Sequence, residues 1–585
     1  MLALLLSACL ASTFVLADGQ LAQNPIIPGW NPDPAPIRVN DTYYLATSSF
    51  EFFPGVPLYT SKDLVNWELF TNVLSRPEQL QLYGTPTTGG AWAPSLSYSS
   101  GTFYLTSMTR WTYDPVAHVW PRVSWVTSTD LITWSDPIWG EPWGIDPQIF
   151  SDPVTGKNYL NLMAPNNNED RLWGIWQCEV DVASGLCIGE YRSLWNGTLP
   201  VTPDARPEGP KMFLKNGTYH LLIAEGGTDL LHRASIARSQ SPEGPWESAP
   251  NNPILYNGAP DNGNLTIQST GHGTMIDTPD GDWYIVYLAR RNVNGSSPLG
   301  RETFISNVEW QDNGWPVINY GRPVLLSEPV EGLPTKIRPS SKTYDFSTTD
   351  LAAQGWYTLR TLYTPIYSVA RMSDLTAYSP SSSGALLLHP NVFTLSDRDV
   401  PAAILRKQTS LNMSFTATTL PIPENLPRGA ALGISAYLSE LVHHDIGIGY
   451  CRNTTTNASS SMCVYTCLAR NGTEEYNEHP FEPPATAMRS VDLVIRAEPL
   501  QYKLGFRYPD VDGQNSGDIK WLTEFPSSWM AWAPEGWFVF SGAMFALFAS
   551  SQGRPWGAGS GDVGFSTVEE EFYEERLGDY DEDGR

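Results

Sequence analysis

Asp41-Thr-Tyr-Tyr-Leu45 reads as a short strand with an aromatic centre, entered from a turn. The same figure returns as Gly101-Thr-Phe-Tyr-Leu105, Lys157-Asn-Tyr-Leu160, Gly217-Thr-Tyr-His-Leu221 and Gly281-Asp-Trp-Tyr-Ile285. A repeat every roughly 55–65 residues, in sequence whose apolar residues alternate with polar ones and never follow a helical period, indicates an all-β chain built from stacked units. Two units carry a sister motif, Ser61-Lys-Asp-Leu-Val-Asn-Trp67 and Ser128-Thr-Asp-Leu-Ile-Thr-Trp134, and a looser form is Ser241-Pro-Glu-Gly-Pro-Trp246. Units of this length are blades of four strands around a central channel, so residues 24–325 are expected to form a five-bladed β-propeller.

Working outward, a Pro-rich connection over 326–343 leads to a region without the repeat. Its strand candidates Ala430-Ala-Leu-Gly-Ile-Ser-Ala-Tyr437, Val491-Asp-Leu-Val-Ile-Arg496 and Phe545-Ala-Leu-Phe-Ala549 suit a β-sandwich over 344–560. Nine acids lie among the last seventeen residues from Glu569, and 561–585 reads as a solvated acidic tail. At the other end, residues 1–17 are almost wholly apolar and close on Val15-Leu16-Ala17, the pattern of a cleaved signal peptide and too short to span a bilayer. Nine Asn-x-Ser/Thr sequons, among them Asn40, Asn196, Asn453 and Asn457, agree with a secreted, glycosylated chain. Cys178 and Cys187 flank a turn and should form a disulfide; Cys451, Cys463 and Cys467 leave one thiol over, and no second Cys or His pair makes a zinc site.

Formal charge is 36 − 62 = −26, which repels nucleic acid and anionic membranes and leaves a neutral partner. Twenty-two Trp and 27 Tyr could stack on sugar rings or fill β cores.

In a propeller the first strand of each blade lines the axis, so polar residues early in successive units converge. Three carboxylates hold that place: Asp33 in Pro28-Gly-Trp-Asn-Pro-Asp-Pro34, Asp146 in Gly144-Ile-Asp-Pro-Gln-Ile-Phe150 and Glu208 in Arg206-Pro-Glu-Gly-Pro210. Flanking Pro and Gly restrict the backbone beside each.

These residues, with Ser48-Ser-Phe-Glu-Phe-Phe-Pro-Gly-Val-Pro57, Ala91-Trp-Ala-Pro-Ser-Leu96, Ala224-Glu-Gly-Gly-Thr228 and Leu299-Gly-Arg-Glu-Thr303, resemble glycoside hydrolase family 43, in particular its β-xylosidase and α-L-arabinofuranosidase members. Residues 344–560 resemble, more diffusely, the lectin-like β-sandwich that follows the propeller there. The resemblance implies Asp33 as general base, Glu208 as general acid and Asp146 as the carboxylate that orients the acid and raises its pKa. It also implies a sugar-contacting arginine at Arg290 or Arg291, where this chain has Ala-Arg-Arg in place of Gly-Arg-Pro, and an axial His272. Phe50, Phe53 and Trp92 are candidate walls of the sugar pocket. No cofactor is required; a structural Ca2+ beside His272 is the metal the resemblance offers, against an ordinary buried histidine. The expected activity is exo-acting, inverting release of terminal pentoses from hemicellulose such as xylan or arabinoxylan. An endo-arabinanase, a transfructosidase-type propeller of the same blade count and a non-catalytic sugar-binding propeller are the alternatives, the last without need of three carboxylates.

Overall fold

Each aromatic strand of the repeat is the second strand of a four-stranded antiparallel sheet. In the first blade Thr42–Ala46 lies between Ala35–Val39 and Gly55–Ser61, with Glu68–Leu74 outermost. The second blade runs Gly90–Ser99, Thr102–Arg110, Arg122–Ser128, Ile138–Trp143, and the third Ile145–Ser151, Asn158–Asn166, Leu172–Glu179, Arg192–Trp195. Glu208–Lys215, Thr218–Glu225, Arg233–Ser239 and Glu247–Ser248 form the fourth; Ile267–Asp277, Trp283–Arg291, Arg301–Trp310 and Pro316–Ile318 form the fifth. The computed structural model describes residues 23–112, 120–166, 172–200, 205–258, 262–336, 338–375, 384–422, 426, 429–451, 462–480, 490–509, 517–531, 539–551, 563–575 and 577–579.

The sister motif earns its repetition as a turn. Asp63 accepts the Val65 and Asn66 N–H groups, and Asp130 accepts those of Ile132 and Thr133. Leu64 and Leu131 take left-handed φ of 66° and 63°, and the Trp67 and Trp134 indoles each donate back to that leucine's carbonyl. A short acidic side chain that satisfies the backbone two and three residues on makes such a turn affordable.

The five inner strands pack around one axis. Near the start of the inner strand in blades two to five the register slips: between Trp92 and Ser95, Ile145 and Gln148, Glu208 and Lys211, and Gln268 and Gly271. The first residue skipped is left-handed each time, at Ala93, Asp146, Gly209 and Ser269, and in three blades a proline follows. Proline has no N–H to give the ladder, so the extra residue bulges and re-aims its neighbours into the channel. Asp33-Pro34, with φ 59° at Asp33, holds the equivalent place ahead of the first blade. The N-terminal segment closes the ring on the fifth blade, Asn31 and Ile26 donating N–H to the Arg301 and Thr303 carbonyls.

The second region is a sandwich of two sheets whose facing sides share one core, with Phe415 stacked on Phe545 at 4.8 Å. The three strands expected from sequence occur as Ala431–Ser439, Asp492–Ala497 and Met544–Ser550. One sheet takes its edge from the propeller: Phe52–Phe53 pairs with Tyr357–Leu359.

Two expected boundaries are corrected. Ser341–Tyr344, all but its last residue expected in the linker, is a sandwich strand, and the supposed acidic tail opens with Val563–Phe572, which lies inside a sheet between Gly384–Leu388 and Met413–Thr419. Alternation explains the second correction: Val568 and Glu570 point into the core while Glu569 and Glu571 point out, and the buried Glu570 accepts the Arg406 guanidinium. The sandwich therefore extends from about residue 341 to 572 rather than ending at 560.

Cys178 and Cys187 are disulfide-bonded as expected, with Cα atoms 5.8 Å apart. Cys451 pairs with Cys463, and Cys467 is the buried free thiol. Residues 1–17 and the sequons at Asn453 and Asn457 lie outside the described residues. Among the described residues no helix is long and apolar enough to cross a membrane.

Candidate active site

The bulged starts of the inner strands bring Asp33, Asp146 and Glu208 to the same end of the channel. Donor atoms of Asp146, Glu208 and His272 lie within 4.8 Å of one another, and Asp33 joins them through His272, whose Nδ1 is 3.3 Å from Asp33 Oδ1. Asp33 and Asp146 are buried, 4% and 3% exposed, whereas Glu208 is the partly exposed member that a substrate could reach.

Asp33 is held ionised. Burial alone would raise its pKa, but Arg301, with Nη1 3.4 Å away, then His272 and the Ser48 hydroxyl, donating at 2.5 Å, together outweigh burial and bring it below the usual value. His272 is itself lowered to about 3 by burial, against the pull of Asp33. Ser48 also accepts the Ala93 N–H at 2.7 Å, tying the first blade's carboxylate to the second blade.

Glu208 is pushed the other way. Burial first, then the negative charges of Asp146 and Asp33, lift its pKa well above the ordinary glutamate value. Burial is thus the larger cause and Asp146 the second, which refines the sequence-based role for Asp146. Asp146 itself rises to about 7 through burial and Asp33, opposed by Lys211 and by the Gly209 N–H that it accepts at 2.9 Å. A proton on Asp146 therefore changes how tightly Glu208 holds its own.

Gly209 admits no larger residue. A Cβ there would stand 2.7 Å from the His272 ring, and its φ of 59° is left-handed.

Of the remaining expected residues, Trp92 is partly exposed on the bulge that matches Glu208, its indole donating to the Thr88 carbonyl. Phe50 is closed off from solvent and backs the wall. Phe53 is a correction: its side chain packs into the core of the first two blades and its carbonyl accepts the Thr358 hydroxyl, so it belongs to the joint with the sandwich and not to a pocket. The two candidate arginines are placed differently. Arg291 is consumed by Glu302 and Glu575, and Arg290 leaves its Nε without a partner among the described residues. The guanidinium that reaches the carboxylates is Arg301, directly opposite Arg290 on the neighbouring strand.

Sequence reading missed the residues that hold these groups. Arg301 lies between the rings of Phe50 and Phe540, 5.7 and 5.1 Å from their centroids, and also contacts Thr228 Oγ1 at 3.3 Å. Phe540 comes from the sandwich and meets Trp92 edge-on at 5.1 Å. Lys211, buried and lowered to about 8, donates to Ser95 and supplies the positive charge beside Asp146. Leu299-Gly-Arg-Glu-Thr303 and the Lys after Glu208-Gly-Pro210 were visible signals; nothing near Phe540 announced it.

One carboxyl held ionised beside another held protonated, behind a wall of aromatic rings, is the pairing that acid–base cleavage of a neutral, hydroxyl-rich substrate needs.

The model of glycosyl hydrolases family 43 matches residues 22–316, and that of the β-xylosidase C-terminal concanavalin A-like domain matches residues 343–559. The chain is 34% identical over 439 residues to the non-reducing end α-L-arabinofuranosidase of Bacteroides ovatus, covering 74% of this chain and 77% of that protein. It is 33% identical over 460 residues to the β-xylosidase of Bacillus subtilis, covering 73% and 80%. Among solved structures, a xylan β-1,4-xylosidase from Bacillus halodurans superposes with a TM-score of 0.78 at 27% identity, covering 94% of this chain and all of that one.

Proposed function

Because this chain belongs to glycosyl hydrolase family 43, we propose that it is an exo-acting, inverting enzyme that releases terminal β-D-xylosyl and/or α-L-arabinofuranosyl residues from hemicellulose oligosaccharides outside the cell. The observation that carries the reading is the opposite electrostatic fate of Asp33 and Glu208 in one pocket. Glu208 donates its proton to the leaving glycosidic oxygen while Asp33 takes a proton from the attacking water, through an oxocarbenium-like state. Asp146 keeps Glu208 protonated and, through the Gly209 N–H, fixes the bulge that carries it. Both relatives named above have exo-type names, and the ring wall of Trp92 and Phe540 supports a pocket over an open cleft. The apolar residues 1–17 support export.

No cation is needed in this scheme. Asp146, Glu208 and His272 could offer three donors, but Ca2+ takes 6–8 oxygens, and an ion there would ionise the acid.

The test is hydrolysis of xylohexaose and of branched arabino-oligosaccharides, with and without EDTA, followed by chromatography and by NMR of the first-formed anomer. Monomeric pentose of inverted configuration, at a rate indifferent to EDTA, is the expected result. A retained anomer or early internal fragments would overturn the inverting or the exo assignment respectively.

A further inference from the structure

We propose that a cavity between the propeller, the linker and the sandwich, apart from the active site, binds a ligand carrying two or more oxyanion groups. The cavity measures about 910 Å³, within the size range of small-molecule sites, and none of Asp33, Asp146 and Glu208 lines it.

Its charge runs against that of the molecule. In a chain of net charge −26, six cationic side chains among the described residues line this one space: Arg291, Lys336, Arg338, Lys342, Arg406 and Lys407. Among the described residues, the acids that line it are Glu574 and Glu575. Arg291 is neutralised by Glu302 and Glu575, and Arg406 by Glu570. The other four cations have no carboxylate within ion-pair distance among the described residues. Lys336 donates to the Ile26 carbonyl and Lys407 to Asn31 Oδ1 at 2.8 Å, so each ammonium keeps donors to spare.

Cationic side chains crowded into one recess repel one another, and the proton affinities of the more buried ones register it. Burial first, then Arg338, brings Lys336 down to about 7, and burial lowers Lys407 well below the usual lysine value. An entering anion removes that repulsion and gains charge-assisted hydrogen bonds. Partly exposed Trp67 lines the same space, so the oxyanions could be the carboxylates of an acidic oligosaccharide or the phosphates of a compact ligand.

Calorimetric titration of the whole protein with tri-galacturonic acid and with pyrophosphate, in chloride buffers of matched ionic strength, tests this. Saturable binding of either supports the site: the sugar acid alone identifies an acidic carbohydrate, pyrophosphate a compact phosphate ligand. Arg338→Ser with Lys342→Ser removes two exposed cations and should weaken binding about tenfold or more, with melting in chloride unchanged. No saturable binding of either probe, or binding undiminished in the double variant, overturns the proposal.

Discussion

Asp33 and Glu208 face opposite demands within 4.8 Å of the same histidine, and their neighbours answer each separately. Removing the titrating oxygen from either should leave packing intact and remove only proton transfer. Glu208→Gln and Asp33→Asn are each expected to lower turnover by about 10²–10⁴-fold. Steady-state rates on an aryl β-xyloside, beside melting temperatures within the wild-type range, check this. Asp146→Asn should act on pH. The Asp146 charge raises the Glu208 pKa, so losing it lowers that pKa, and the alkaline limb of kcat/KM should move toward acid by about one pH unit or more. An alkaline limb left in place would assign it to another group. The three carboxylates were legible because each sits beside a proline or glycine at one phase of the repeat. Arg301 was visible within Leu299-Gly-Arg-Glu-Thr303 but its role was not, because it reaches Asp33 from the third strand of the blade that closes the ring; its cross-strand neighbour Arg290 drew the assignment instead.

At the scale of elements, blades repeat a turn chemistry that sequence displays, and Asp63 and Asp130 stand at matching places in it. The strand Val563–Phe572 repeats nothing, and the run Glu569-Glu570-Glu571 looks solvated until alternation is considered. Val563, Phe565 and Val568 are nonetheless buried in the sandwich core. At about 1.5–3 kcal/mol for each side chain, their loss removes an amount comparable to a domain's whole stability of about 5–15 kcal/mol. A chain ending at residue 560 is therefore expected to be insoluble or to lack native near-UV circular dichroism. A soluble, natively folded product would show that the strand is dispensable.

Across the whole molecule, the site is a joint product of the two regions. The propeller supplies the carboxylates and Trp92, while the sandwich supplies Phe540, which covers Arg301 and meets Trp92. An edge-to-face pair contributes about 0.5–1.5 kcal/mol, so Phe540→Ala should lower kcat/KM by roughly 3–10-fold. Kinetics on short and long oligosaccharides check this, and an unchanged value would place the ring outside the substrate's reach. The position of Val563–Phe572 also has a consequence for synthesis on the ribosome. It is an interior strand of its sheet, yet of all the strands described it is the last to be translated. The propeller can assemble as it emerges, with Phe52–Phe53 waiting for its partner, but the sandwich has a gap in its middle until residue 572 has been added. A message with a premature stop codon in the second half would thus yield a nascent chain with open sheet edges, a substrate for chaperones and proteolysis rather than a shortened enzyme.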